Sequence, residues 1–434
     1  MDLAKPRRLF YGWVMVAVCG LTVSIVFGIR LSFGVFFVAL NEEFGWGRGA
    51  TAGVFSLSMV VFALTAAPVG FALDRWGPRV VSAVGGLWLA VGLALCSRVG
   101  SLWGMLLAYG VVASIGISIL GLGTQGAIIS RWFVRRRGLA IGLVFAGSGL
   151  GTLLLTPGVE RLISLVGWRG AYLVLAGLAA LLVPLSWLLR HSPREVGQQV
   201  DGGQDSHPNP LPKGEGRNRP RVTRRPTWTW QQAARTGQFW WLIVAALGAI
   251  GPLRMLTVHQ VAYAVDAGFS RFFAASLFGA GGALTAATFV VAGGLSDRLG
   301  RHSTYLVGSA CLGAAILVLL RVASPTDLGW LYAYTILEAL GEGTRSSLVT
   351  AIASDTFPGE HMGAINGSVG AAYGAGAAVS TWLAGALYDS TGSYGVALWT
   401  AFAAVVVSAV CIHLIGRYPP RVPSLIEVVR ADAK

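Results

Sequence analysis

Charge is scarce in this chain. Of its 434 residues only 12% are Asp, Glu, Lys or Arg, with 19 acidic residues against 33 basic ones. A soluble domain carries about twice that charged fraction, so an ordinary water-facing surface is excluded. Cysteine is equally sparse: Cys19, Cys96, Cys311 and Cys411 fall singly inside apolar runs, which argues against a disulfide frame or a thiolate metal site. No nucleophile with a matched base, no cluster of metal ligands and no phosphate-cradling glycine loop stands out. An enzyme is therefore not expected, nor a cofactor. The net charge of +14 comes without any nucleic-acid-binding fold pattern, so no nucleic-acid partner is expected either.

What the chain has in abundance is apolar sequence, 54% of it, in runs. Runs of about 20 residues, enough to cross a bilayer as a helix, recur twelve times, near 11–40, 50–72, 80–97, 103–129, 138–159, 170–189, 238–265, 272–294, 304–320, 328–354, 364–387 and 394–416. The fold class read from this is an all-α, multi-pass membrane protein with membrane lipid as its surroundings. The first run follows Lys5, Arg7 and Arg8 with no small-residue cleavage site, which reads as an uncleaved signal anchor. Alternating sides from there, inner loops and tails hold 24 Lys and Arg, outer loops 6, and 3 lie within spans. That bias places both termini in the cytoplasm.

The chain repeats itself. Gly70, Asp74, Arg75 and Gly77 after the second span match Gly293, Asp297, Arg298 and Gly300 after the eighth, 223 residues later. Gly138, Gly142, Gly149 and Gly151 match Gly363, Gly367, Gly374 and Gly376, 225 residues later. Two parallel six-helix halves follow, 1–191 and 238–417, with a tail at 418–434. The small residues Gly142, Ala146 and Gly149 are spaced to let another helix approach. Between the halves, 192–237 is rich in Pro, Gly and polar residues and reads as a cytoplasmic linker, mostly disordered. Aromatic residues from Trp228 to Trp241 suggest an interfacial helix at its end.

These features resemble the major facilitator superfamily. The stretch Trp132, Phe133, Arg135, Arg136, Arg137, Gly138, Gly142, Ala146, Gly147 and Gly151 is similar to the fifth-span motif of the monocarboxylate transporters and their bacterial oxalate/formate relatives. Gly12 and Trp13, and the run Ser32 to Phe37, fit as well. The resemblance implies transport of a small organic anion, a carboxylate, coupled to protons or to a counter-anion. The expected location is the inner membrane of a bacterium. In that fold the twin loop is a gate, formed here by Asp74, Arg75, Gly77, Asp297, Arg298 and Gly300. Its carboxylates would pair with arginine and with a neighbouring helix N-terminus.

Ionisable residues inside spans are expensive, at least about 2.5 kcal/mol where they face lipid. Five qualify: Arg30, Arg254, Glu338, Glu342 and Arg345. Arg254 follows Gly251 and Pro252, where a missing donor is expected to break the helix and bare carbonyls at a cavity. Glu338, Glu342 and Arg345 share one helical stripe, and burial beside like charge favours a protonated carboxyl. Glu338 and Glu342 are therefore candidates for proton coupling, with an internal salt-bridge network as the alternative. Arg30, Arg254 and Arg345 are candidates for holding the anion, on the reasoning that three cations exceed two acids. Tyr109, Thr124, Gln125, His259, Gln260, Tyr263, Asn366 and Tyr373 are further candidate lining residues. The resembled family carries an arginine in span eight, and its oxalate relatives a lysine in span eleven. Here 277–295 is uncharged and span eleven has no lysine. Drug or cation efflux, or a non-transporting sensor, are the competing readings.

Overall fold

The computed structural model describes residues 10–202, 228–345, 348–358 and 362–418, apart from the side chains of Val290, Leu295 and Asp297. Most of the expected linker, 203–227, and most of the tail therefore lie outside the described residues. Among the described residues every regular element is a helix. In chain order they are α1 (Gly12–Leu31), α2 (Phe33–Phe44), α3 (Arg48–Cys96), α4 (Leu102–Met105), a π-helix (Leu106–Ala113), α5 (Ser114–Ile119), α6 (Leu122–Ser130), α7 (Arg137–Ala180) and α8 (Leu182–Ser186). Beyond the undescribed stretch come α9 (Trp230–Ala234), α10 (Gly237–Asp266), α11 (Arg271–Leu299), α12 (Arg301–Leu319), α13 (Leu328–Arg345), α14 (Leu348–Thr356), α15 (Met362–Thr391) and α16 (Gly395–Arg417). Among the described residues, short 3₁₀ turns lie at Pro193–Val196, Val200–Gly202 and Pro325–Asp327.

Eight helical stretches are long and apolar enough to cross a membrane. Two of them, beginning at α3 and α7, are 49 and 50 residues long, which at about 1.5 Å per residue is more than twice a ~30 Å hydrocarbon core. Each is broken once. Gly77 in α3 takes φ +76°, ψ 171°, and Gly167 in α7 takes φ +72°, ψ 166°, backbone that an L side chain would strain. Gly45, Gly268, Gly300 and Gly392 are also left-handed. Six of these glycines pair up: Gly45 with Gly268 and Gly77 with Gly300 are 223 residues apart, Gly167 with Gly392 225 apart. The turn conformations thus recur at the interval of the sequence repeat. The bundle shows exposed apolar side chains such as Phe71, Trp103 and Leu64, each more than 70% exposed, a surface that suits an apolar solvent.

Helix pairing repeats too, and glycine sets it. A Cβ on Gly151 would stand 1.9 Å from the Ser24 carbonyl oxygen, and one on Gly376 would stand 2.6 Å from that of Leu247. So α7 lies backbone to backbone against α1, and α15 against α10. Gly149 faces Ala286 of α11 at 2.4 Å, and Gly374 faces Ala63 of α3 at 3.1 Å. Residues 24 and 247, and 63 and 286, are again 223 apart. Gly142 does not carry the close approach expected of it. No atom lies within 4 Å of its Cβ position, nor of the matching Gly367, and Gly147 does that work against Gly20 instead.

Pro252 does not break its helix. α10 runs unbroken for 30 residues with Pro252 inside, because neighbouring helices enclose it and the carbonyl it deprives of a donor finds another one, described below.

Candidate functional site

α10 and α13 bring the central charges together. Arg254 on α10 donates through Nη2 to Glu342 Oε1 on α13 at 2.5 Å, their side chains 20% and 16% exposed. Arg254 Nη1 also reaches Thr257 Oγ1 at 3.4 Å. One turn before Glu342, Glu338 is buried and close enough to feel both Glu342 and Arg254. Beside them Tyr334 donates to Gln260 Oε1 at 2.7 Å, while Gln260 Nε2 is buried without a partner. The arrangement offers one arginine fork, already holding a carboxylate, with a second carboxyl one helical turn away.

Arg30 comes to the same region from α1. No carboxylate of a described residue pairs with it: Nη2 donates to Met59 Sδ at 3.1 Å, and its guanidinium lies 4.4 Å from the Phe62 ring centre and 5.8 Å from that of Phe27. Cation–π contact offsets part of the desolvation of such a charge. Arg254 is near enough for the two cations to repel. Tyr109, within the π-helix, donates to the Arg30 carbonyl at 3.4 Å. Met59, Phe62 and Phe27 carried no sequence signal, since apolar residues in a span are the rule.

Arg345 belongs elsewhere. It is fully buried, and Nη2 donates to the Gly248 carbonyl and to the Tyr305 hydroxyl, both at 3.1 Å. Gly248 is the residue four before Pro252, so its carbonyl is the one the proline leaves without a helical donor. The sequence grouped Arg345 with the anion contacts; in the structure its Nη2 is that donor, while Nε and Nη1 are buried with no hydrogen-bond partner among the described residues. The remaining candidates are scattered. Gln125 is buried with Nε2 on the Leu120 carbonyl at 3.4 Å. Asn366 Nδ2 donates to Ser354 Oγ at 3.0 Å, and Tyr373 contacts Thr350. Tyr263 donates to the Leu319 and Val322 carbonyls, and Thr124 is buried on α6.

His259 joins a polar chain at the far end of α10. Its Nε2 meets the Thr381 carbonyl and its Nδ1 the Tyr394 hydroxyl, both at 3.0 Å. A carbonyl can only accept, so Nε2 carries a proton. The Tyr394 hydroxyl in turn accepts from Arg48 Nη1 at 2.8 Å. Arg48 also holds both carboxylate oxygens of Asp266, at 2.6 and 2.8 Å, and lies 3.8 Å from the Tyr388 ring centre. The backbone amides of Arg48 and Gly49 donate to Asp389 at 2.7 and 2.8 Å. Arg271 pairs with Glu42 nearby. Sequence reading missed this knot because charges at span ends are ordinary.

At the opposite end the expected gate residues behave differently. Asp74 pairs with Arg131 at 2.6 Å, Arg75 and Arg298 are exposed, and Gly77 and Gly300 make the turns. The side chain of Asp297 lies outside the described residues. Arg301 pairs with Asp355 at 2.8 Å. Among the described residues, ion pairs joining the first repeat to the second, Arg48 with Asp266 and Arg271 with Glu42, occur only at the Arg48 end.

Mouse (Mus musculus) monocarboxylate transporter 11 is 37% identical over 188 residues, 43% of this chain and 42% of that protein, so the match spans well under half of that relative. Rat (Rattus norvegicus) monocarboxylate transporter 12 is 26% identical over 423 residues, 94% of this chain and 86% of that protein. Among solved structures, a bacterial homolog of the human lysosomal transporter Spinster, inward-facing and occupied, superposes with a TM-score of 0.66 at 15% identity, covering 96% of this chain and 98% of that one. The nucleoside transporter NupG gives 0.71 at 12% identity, covering 92% and 99%. These two share the fold. The Major Facilitator Superfamily profile matches residues 16–337 and 261–431, and the chain, a multi-pass membrane protein, belongs to that superfamily.

Proposed function

We propose that the chain is a secondary active transporter, not an enzyme, which moves a small organic anion, a carboxylate, by alternating access coupled to protons. Twelve crossings in two six-helix halves, with both termini cytoplasmic, fit the eight candidate spans once α3 and α7 are each counted twice at their glycine breaks and α13–α14 and α15 are added. The domain boundaries are then those of the sequence repeat, 1–191 and 238–417, and the host membrane is the inner membrane of a bacterium. The relatives named as monocarboxylate transporters support the substrate class.

The observation that carries the reading is the Arg254–Glu342 pair at 2.5 Å with Glu338 one turn away. With Arg345 engaged elsewhere, the region holds two guanidiniums, Arg30 and Arg254, and two carboxyls. One proton on the carboxyl pair leaves a single net positive charge, and one carboxylate substrate neutralises it. Uncompensated charge at membrane depth is costly, so proton and anion enter more favourably together than apart. An incoming carboxylate competes with Glu342 for the Arg254 fork. The displaced Glu342, beside Glu338, then takes the proton.

Reconstituted protein should take up a labelled monocarboxylate faster under an inward proton gradient. Arg254→Ala or Arg30→Ala should lower uptake by about 100-fold or more, since a bound anion loses a charge-assisted contact of roughly 3 kcal/mol. Glu342→Gln should leave residual uptake that no longer responds to pH. Uptake that ignores pH in the unaltered protein, and rises with anion inside the vesicles, would assign exchange instead.

A further inference from the structure

We infer that Arg135, Arg136 and Arg137 form a docking site for the headgroups of anionic phospholipids. All three are exposed where α7 begins. No carboxylate of a described residue pairs with them. The acids nearby are committed: Asp74 holds Arg131, and Asp201 accepts from the backbone amides of Val134 and Arg135, at 3.2 and 2.8 Å.

The patch is held rigid. Trp132 and Phe133, next to it in sequence, are buried to within 1% and pack against Phe10, Tyr11 and Trp13 with ring centres 5.2–6.2 Å apart. On its other side Asp201 donates its own amide to the Trp132 carbonyl at 3.2 Å. It does so with φ +56°, the one left-handed residue other than glycine among those described. Three like charges are therefore presented together instead of spreading apart on a mobile loop.

The patch also sits at a boundary. Val134 and Leu139, on either side of the arginines, are 64% and 58% exposed, as suits side chains that reach acyl chains. Setting topology requires positive charge on this side but does not require a fixed cluster, its neighbouring acids held by other groups, beside exposed aliphatic residues. Clustered arginine at a membrane surface attracts acidic lipid through its charge.

The full chain, purified in neutral detergent, would be melted with phosphatidylglycerol, with phosphatidylcholine and with inorganic phosphate. Phosphatidylglycerol should raise the melting temperature several degrees beyond phosphatidylcholine, and about 1 M salt, where the Debye length is roughly 3 Å, should erase that difference. R135Q/R136Q/R137Q should lose the increment while melting normally in phosphatidylcholine. R135K/R136K/R137K should keep most of it, as should R98Q/R321Q, which alters exposed arginines outside the patch. The inference is overturned if the increment survives high salt, survives in the glutamine variant, disappears equally in R98Q/R321Q, or is reproduced by inorganic phosphate.

Discussion

A proline inside a membrane helix leaves one carbonyl without its helical donor, and hydrocarbon supplies no water to replace it. At Pro252 that carbonyl belongs to Gly248, and Arg345 reaches it at 3.1 Å. The arginine is held further by Tyr305, whose hydroxyl meets Ser408, which itself donates to the Ala245 carbonyl. One nitrogen of a buried arginine thus takes the place of the missing amide. Replacing Pro252 with Ala restores the amide, so the two changes are coupled. Arg345→Met and Pro252→Ala should be non-additive by at least about 1 kcal/mol in unfolding free energy, the double variant being more stable than the sum of the single effects. Additive melting data would remove Arg345 from this role.

Among elements, the pairs α1–α7 and α10–α15 are set by glycine more than by side-chain fit. A methyl on Gly151 would enter the Ser24 carbonyl, whereas one on Gly142 meets nothing within 4 Å. Gly151→Ala should therefore lower stability by about 1–3 kcal/mol or more. Gly142→Ala should be neutral or stabilising by up to about 1 kcal/mol, as helix propensity predicts. Thermal melts of the two variants side by side check this. The π-helix at Leu106–Ala113 is a second element-scale feature, since it carries Tyr109 to the backbone of Arg30, and wide turns of this kind gather at functional sites.

For the whole molecule, the knot around Arg48 ties the first repeat to the second at one end. Arg48 touches Asp266, Tyr388 and Tyr394, its backbone meets Asp389, and Tyr394 passes the contact on to His259, against whose ring Phe37 stands edge-on at 5.0 Å. On the topology proposed above, with both termini cytoplasmic, these ion pairs across the repeats keep the outer end shut. Arg48→Ala combined with Arg271→Ala should shift the population towards the opposite state, because two cross-repeat ion pairs are lost. In a Phe37→Cys background, a thiol reagent that cannot cross membranes should then label the protein faster from outside, by about tenfold for each 1.4 kcal/mol of shift. An unchanged labelling rate would show that apolar packing alone holds this end closed.

Much of this was legible in the sequence because its physical causes are local or periodic. Membrane-length apolar runs give helices wherever backbone groups must pair internally, and the repeat at 223–225 residues foretold which glycines would act alike, down to the matched turns at Gly77 and Gly300. The charges buried in spans could be named for the same reason, since their cost makes them conspicuous. Which way each of them faces was not legible. Arg254 and Arg345 are both arginines in spans near the same proline, yet one meets Glu342 and the other a backbone carbonyl, and the Arg48 knot joins residues more than 200 positions apart. A helix's composition sets that it crosses the membrane; only packing against other helices sets its rotation and its partners, and with them the role of every charge it carries.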